Sequence, residues 1–232
     1  MLIRERQPCV VLTGAGISTE SGIPDFRSPT GIWADVDPLE VASIEAFRRD
    51  PERVWDFYRA RIHLLLEAEP NRAHRALAEL ERRQLVDSVI TQNIDLLHAR
   101  AGSKEVVEVH GSIATSSCLK CGHVEGLQAV LDQLERQPAP KCPSCGSVLK
   151  PGVVMFGELL PAAAIDRATR LARRAALMLV VGSSLEVWPV AGLPLEARAF
   201  VIVNRGPTAL DEHALLKIDG DAGDVLGAAV DV

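Results

Sequence analysis

The sequence predicts an α/β fold: a Rossmann-like doubly wound parallel sheet, with a helical insertion and an inserted small zinc-binding module. Three observations carry this. Short apolar runs rich in β-branched residues, at 10–13, 86–91, 105–109, 176–181 and 200–204, alternate with stretches of helical length at 51–67, 73–83, 161–174 and 189–197. A glycine-bearing turn, Thr13-Gly14-Ala15-Gly16-Ile17-Ser18, follows the first run directly. Two Cys-x-x-Cys pairs fall within 111–150, where the strand–helix rhythm stops.

Strands alternating with helices imply a parallel sheet covered on both faces, so each strand reads as a near-continuous apolar run. Such sheets bind ligands at the carboxyl ends of their strands. Pro51, Pro161 and Pro189 suit the first turn of a helix, where a missing N–H costs nothing. Residues 111–150 hold Pro138, Pro140 and Pro143 and show no strong buried strand, so they read as an inserted module. The expected organisation is a Rossmann-like domain from 1–30, 70–110 and 151–232. The small domain takes a helical insertion at 31–69 and a zinc-ribbon-like module at 111–150.

Of the 232 residues, 47% are hydrophobic and 24% charged, as in ordinary water-soluble globular proteins. No run of 18 apolar residues is present to span a membrane. The first eight residues mix Arg4, Glu5 and Arg6 with little apolar length, so no secretory signal and a cytoplasmic location are expected. A net charge of −6 argues against a general nucleic-acid binder. Cys9 lies in an apolar run and reads as a buried, inert thiol. The other four cysteines, Cys118, Cys121, Cys142 and Cys145, form two pairs separated by 20 residues. In a reducing compartment that pattern points to metal, and four thiolates form a closed tetrahedral site suited to structural Zn²⁺. His123, beside one pair, reads as a solvated loop residue.

Three further motifs sit at strand ends. Gly14 and Gly16 let the backbone turn sharply and approach a pyrophosphate, although Thr19 replaces the usual third glycine and a plain strand-to-helix turn fits equally. In Thr91-Gln92-Asn93-Ile94-Asp95, a carboxamide and a carboxylate can recognise an amide by complementary hydrogen bonds; the same residues also suit capping of a helix near Ile94. Of six histidines, His110 alone ends an apolar strand and precedes a glycine. A neutral imidazole there can take a proton near pH 7, or be merely structural.

Taken together, Gly14-Ala15-Gly16-Ile17-Ser18, Gly22-Ile23-Pro24-Asp25-Phe26-Arg27, Thr91-Gln92-Asn93-Ile94-Asp95 and His110-Gly111 resemble the sirtuin family, in its motif order. The resemblance runs from about residue 10 to 226. It implies NAD as co-substrate, held by Gly14, Ala15, Gly16, Ser18, Asp25, Gln92, Asn93, Ile94 and Asp95, with Arg27 on phosphate and Phe26 guarding the nicotinamide pocket. Gly182, Ser183 and Ser184 would face ribose or phosphate, Asn204 the adenosine, and Ala222 the adenine. Val154, Phe156, Gly157, Glu158 and Val187 would hold an acylated lysine peptide as an added strand. The implied reaction has the acyl oxygen attack the nicotinamide ribose as nicotinamide leaves. His110 then acts as catalytic base on a ribose hydroxyl, giving free lysine and O-acyl-ADP-ribose. Phe26 and Val154 would exclude water. Acylated lysines of proteins are the implied partners, with no nucleic acid and no membrane. Two departures from the family pattern are a short segment before the first strand and a short stretch at 194–201.

Tyr58 and Arg61 lie three apart on the expected helix 51–67 and share a face, which Trp55 would extend. Helix statistics alone favour a core tyrosine beside a solvated arginine. The pair nevertheless resembles the Y-x-x-R signature of the sirtuin branch that removes succinyl and malonyl groups. That implies a phenol and a guanidinium gripping the distal carboxylate, with Arg59 pointing elsewhere. The alternatives are a plain deacetylase, or an ADP-ribosyltransferase or NAD-binding protein on the same fold. A nicotinamide dehydrogenase leaves Asn93, Asp95 and the cysteines unexplained, and a zinc-ribbon nucleic-acid module lacks a basic patch around Lys120 and Lys141.

Overall fold

In a computed structural model, residues 2–26 and 28–230 are described. Their strands are β1 (Cys9–Thr13), β2 (Ser88–Thr91), β3 (Val106–Glu108), β4 (Gly111–Ser117), β5 (Val124–Gly126), β6 (Lys150–Val153), β7 (Leu177–Val181), β8 (Phe200–Val203) and β9 (Leu216–Ile218). Six of them form one parallel sheet in the order β3-β2-β1-β7-β8-β9. The order reverses between β1 and β7, which makes their carboxyl ends the switch point where a doubly wound sheet opens a crevice.

Side-chain alternation sorts this sheet into two cores. Val11, Val89, Leu179 and Val201 pack with Ala73, Leu77 and Leu80 of the helix Arg72–Arg82 and with Leu226 of Ala222–Val230. Leu12, Ile90, Val180 and Ile202 face the opposite layer, with Ala168 and Ala172 of Ala162–Arg174 and with Val190 and Leu193. Both faces are covered, as the unbroken apolar strands require. Each fully buried leucine or isoleucine here contributes about 1.5–3 kcal/mol.

The expected helix at 51–67 forms over Pro51–Glu67, with Pro51 in its first turn and the Asp50 carboxylate capping Arg53 N. The expected helix at 189–197 does not. It breaks into a 3-10 turn, Val190–Gly192, and a short helix, Leu193–Glu196. Pro194 cannot donate to an earlier carbonyl, so the two turns do not fuse. Residues 111–150 also differ from expectation, because β4 runs through them and pairs antiparallel with β5 and β6. A third core joins this three-stranded sheet to the helical insertion. Ile44, Trp55, Tyr58 and Ile62 pack with Ile113, Val130, Leu134, Leu149 and Val153. No helix among the described residues is long and apolar enough to cross a membrane.

Candidate active site

The switch point is built by three strand ends. Gly14 N donates to Val181 O at 3.1 Å, and Gly16 N donates to Gly182 O at 2.8 Å. These two amides are therefore engaged with the neighbouring strand, and what the two glycines supply is close approach of backbone, since a Cβ on either would overlap Gly182. Gly182 adopts a positive φ of 62°, and a Cβ there would overlap Ile17 N. The turn continues as a 3-10 helix, Ala15–Ser21, with Ser18 buried.

Beneath it lies a closed hydrogen-bond network. Ser18 Oγ donates to Asp95 Oδ2 at 2.7 Å, and Asn93 Nδ2 donates to Gly14 O and to Ser18 Oγ, both at 3.1 Å. Asp95 Oδ1 also accepts Leu97 N, the first amide of the helix Leu97–Ala101, whose N-cap position is Leu96; Asn93 makes no such bond. All three polar side chains are buried. Ile94 packs against the small-domain core, and its carbonyl accepts Ile113 N. A second tier, missed by the sequence reading, supports this one. Thr13 and Thr91, in register at the ends of β1 and β2, share a 2.8 Å hydrogen bond, and His98 Nε2 lies 2.9 Å from Thr13 Oγ1. His98 also stacks edge-on against His74 at 4.9 Å. Burial lowers both imidazoles, His74 to about 4 and His98 to about 3, so each is neutral at pH 7.

His110 follows β3. Its Nδ1 sits 3.1 Å from Gln92 O, a partner that can only accept, so in the neutral ring Nδ1 carries the proton and Nε2 keeps its lone pair. Burial lowers its pKa, partly opposed by that hydrogen bond. The backbone then turns at Gly111, φ 73°, where any Cβ would overlap Gly152 O. Gln92 reaches across to Ser183, whose Oγ accepts Gln92 Nε2 at 3.0 Å. Ser184 Oγ donates to Glu186 Oε2. Gly16, Asp25, Gly182, Asn204, Asp221 and Ala222 line a cleft of about 180 Å³ beside this turn. Asn204 Nδ2 is meanwhile bonded to the carbonyls of Arg205 and Gly206. Arg27 lies outside the described residues.

A second polar group lies on the small-domain side. Val154 N donates to His110 O at 2.8 Å, so the segment after β6 runs directly past the histidine. Phe156 pairs with 42–44 through Phe156 N to Ala42 O and Ile44 N to Phe156 O. Gly157 has a positive φ of 86°, and Glu158 Oε2 accepts Met155 N. Tyr58 is buried, and its phenol pKa is raised by burial, against the pull of Arg61 and with the push of Glu158. Arg61 has no carboxylate partner among the described residues. Its guanidinium lies 3.6 Å over the Phe57 ring, and its Nε is buried without a hydrogen bond. Phe57 stacks on Trp33 and Trp33 on Phe26, with centroids 5.8 and 5.4 Å apart. This ring stack was not foreseen, because Trp33 and Phe57 carry no spacing signal. Trp55 extends the Tyr58 face as expected, both being buried in the same core. It is fully buried, and its Nε1 donates to Leu149 O. Arg59 turns away to the carbonyls of Gln137 and Pro138. Val187 is engaged in its own turn, where its carbonyl accepts Ala191 N.

The four paired cysteines converge, all four Sγ lying within 4.8 Å of one another. Cys118 and Cys145 are 3.4 Å apart, and Cys121 and Cys142 3.6 Å. Zn–S bonds of about 2.3 Å give tetrahedral S–S edges of roughly 3.8 Å, so the set is positioned to bind a zinc ion. Tight turns at both pairs, Gly122 N to Cys118 O and Gly146 N to Cys142 O, hold the thiols in place.

The sequence pattern of the Sir2 family matches residues 14–189. The chain belongs to the Sir2, or sirtuin, family. It is 44% identical over 236 residues to an NAD-dependent protein deacylase of Pyrococcus furiosus, covering 99% of this chain and 94% of the relative. A solved Sir2 structure with a p53 peptide and NAD⁺ superposes with a TM-score of 0.91 at 43% identity, covering 99% of this chain and 95% of that one. Sir2Tm bound to a propionylated peptide matches at 0.90 and 42%, covering 99% and 94%.

Proposed function

We propose that this sirtuin removes acyl groups from protein lysines in the cytoplasm with NAD as co-substrate, and that acidic acyl groups such as succinyl and malonyl are among them. The guanidinium of Arg61 beside the Tyr58 phenol carries the finer part of this reading: it meets only the Phe57 carbonyl and ring, its Nε is buried without a hydrogen bond, and no carboxylate among the described residues pairs with it. A half-buried arginine without a counter-ion is costly, and a distal carboxylate on the acyl chain supplies one bidentately.

Bound NAD supplies the leaving nicotinamide and the ribose that receives the acyl group. On this reading the domain made of 1–30, 70–110 and 151–232 holds it. Gly14, Ala15, Gly16, Gly182, Ser183 and Ser184 would line the phosphates and ribose, with Asp25, Phe26 and Arg27 closing over them. Asn204 and Ala222 would take the adenosine. Ser18, Gln92, Asn93, Ile94 and Asp95 form the floor for the nicotinamide. His110 Nε2 would accept the proton, since Gln92 O fixes the other nitrogen as donor. Val154, Phe156, Gly157, Glu158 and Val187 would align the peptide, and Phe26, Trp33 and Phe57 would exclude water from the acyl channel. The zinc site, being all-thiolate, is structural.

The test is a panel of acetyl, propionyl, malonyl and succinyl peptides with and without NAD, read by mass spectrometry. Nicotinamide release that depends on an acylated peptide, with succinyl or malonyl among the substrates, is expected. Nicotinamide release without an acyl peptide would favour ADP-ribosyl transfer, and acetyl-only turnover would leave a plain deacetylase.

A further inference from the structure

Lys150 is the first residue of β6, and it is buried at 5% exposure. A lysine so placed must spend its three donors. Its Nζ donates to Pro151 O at 2.9 Å, Val153 O at 2.7 Å and Glu158 Oε2 at 3.0 Å. The same Glu158 oxygen accepts Met155 N at 2.9 Å, and Glu158 N donates back to Met155 O. One cation therefore ties both ends of the segment 153–158 to a single point. That segment also bonds His110 O through Val154 N, and Ala42 O through Phe156 N.

The neighbouring connections place this tie at the joint of two units. Ser117 pairs with Lys150 across β4 and β6, and Leu149 O accepts Trp55 Nε1. The cysteine module thus pairs with Lys150 itself, and the helical insertion holds the residue before it. Glu158 would otherwise present an uncompensated carboxylate near Tyr58, whose phenol senses it.

We propose that Lys150 is a positioning residue for the acyl-lysine peptide: through its ion pair with Glu158 it sets the register of 153–158 against His110 and neutralises the carboxylate beneath the acyl channel. This rests on the placement of the peptide along 154–158. Lys150 touches neither the acyl group nor the co-substrate.

The experiment measures acetyl-peptide KM at saturating NAD, and NAD KM at saturating peptide, on the intact chain. Lys150→Met should raise peptide KM roughly ten- to hundredfold, the loss expected for hydrogen bonds to a charged group, with NAD KM little changed. Lys150→Arg should restore most of that loss, because a guanidinium can reach the same three acceptors. Glu158→Gln in the Lys150→Met background should recover part of it by removing the stranded charge. If Lys150→Met proves insoluble, Glu158→Gln alone should still raise peptide KM selectively. An unchanged peptide KM, an equal rise in both KM values, or failure of Lys150→Arg to rescue would overturn the proposal. Val154→Arg separates the two readings. If it leaves peptide KM unaltered, the peptide does not lie along this segment; if it raises peptide KM while Lys150→Met does not, the positioning role alone fails.

Discussion

Two polar groups, one on the sheet side and one on the small-domain side, are finished to different degrees. On the sheet side, Ser18, Asn93 and Asp95 satisfy one another and the Gly14 carbonyl, with Thr13, Thr91 and His98 beneath. On the small-domain side, Arg61 rests on an aromatic ring with an unpaired Nε and no carboxylate partner among the described residues. A closed network is a preorganised floor that loses little on binding, whereas an open one gains its partner from the ligand. On the proposed function, the first group would serve the NAD-dependent chemistry and the second the choice of acyl chain.

The sharpest break comes from outside both. Cys142→Ala leaves three thiolates, and since metal binding supplies folding free energy, zinc and soluble folded protein should be lost together. Metal analysis should find one zinc per wild-type chain, and its absence from freshly purified protein would remove this part of the account. His110→Ala should lower deacylation on the order of 10²–10⁴-fold while thermal unfolding and NAD binding persist, because the base touches neither network. Retention of most of the rate would reassign the base.

Ser18→Ala opens the closed group. It strands Asp95 Oδ2 and one donor of Asn93, so unfolding stability should fall by about 1–3 kcal/mol in denaturant titrations. A neutral result would mean that water replaces the hydroxyl and that the floor is less preorganised than its geometry implies. Two pH effects sharpen the comparison further. The lowered pKa of His110 keeps its base form populated, so the acid limb of kcat/KM should lie below pH ~6.5. His74 and His98 are depressed to about 4 and about 3 in the fold. Between those values and ~6.5 the unfolded chain binds protons that the folded one does not, so stability is complete above that window. It should fall as pH drops through the window, by roughly 1 kcal/mol per pH unit for each imidazole. A flat stability profile from pH 7 to 4 would contradict the buried, neutral pair.

What the sequence made legible follows the same division. The four inner strands β1, β2, β7 and β8 are buried along their whole length and mostly apolar, a pattern visible residue by residue, as are the motifs at their carboxyl ends; the edge strand β9, Leu216-Lys217-Ile218, is exposed to half-buried and carries no such signal. β4 was missed because Gly111-Ser112-Ile113-Ala114-Thr115-Ser116-Ser117 is small and polar, and its pairing depends on β5 and β6 rather than on its own apolarity. The helix Ala222–Val230 contains Gly223 and Gly227, weak helix formers whose place is set by packing on Arg72–Arg82. Lys150 and Trp33 were unreadable for another reason. A buried ion pair eight residues apart and a stack of rings from separate segments are properties of the folded chain, with no periodicity to announce them.

The most direct test of the open group is the ratio of kcat/KM for succinyl over acetyl peptide, measured for wild type and for Arg61→Met. Losing a charge-assisted pair to the acyl carboxylate should lower that ratio roughly ten- to hundredfold, with acetyl turnover spared or improved. A wild-type preference for acetyl, unchanged in Arg61→Met for both peptides, would contradict the assignment of Arg61 to an acidic acyl chain.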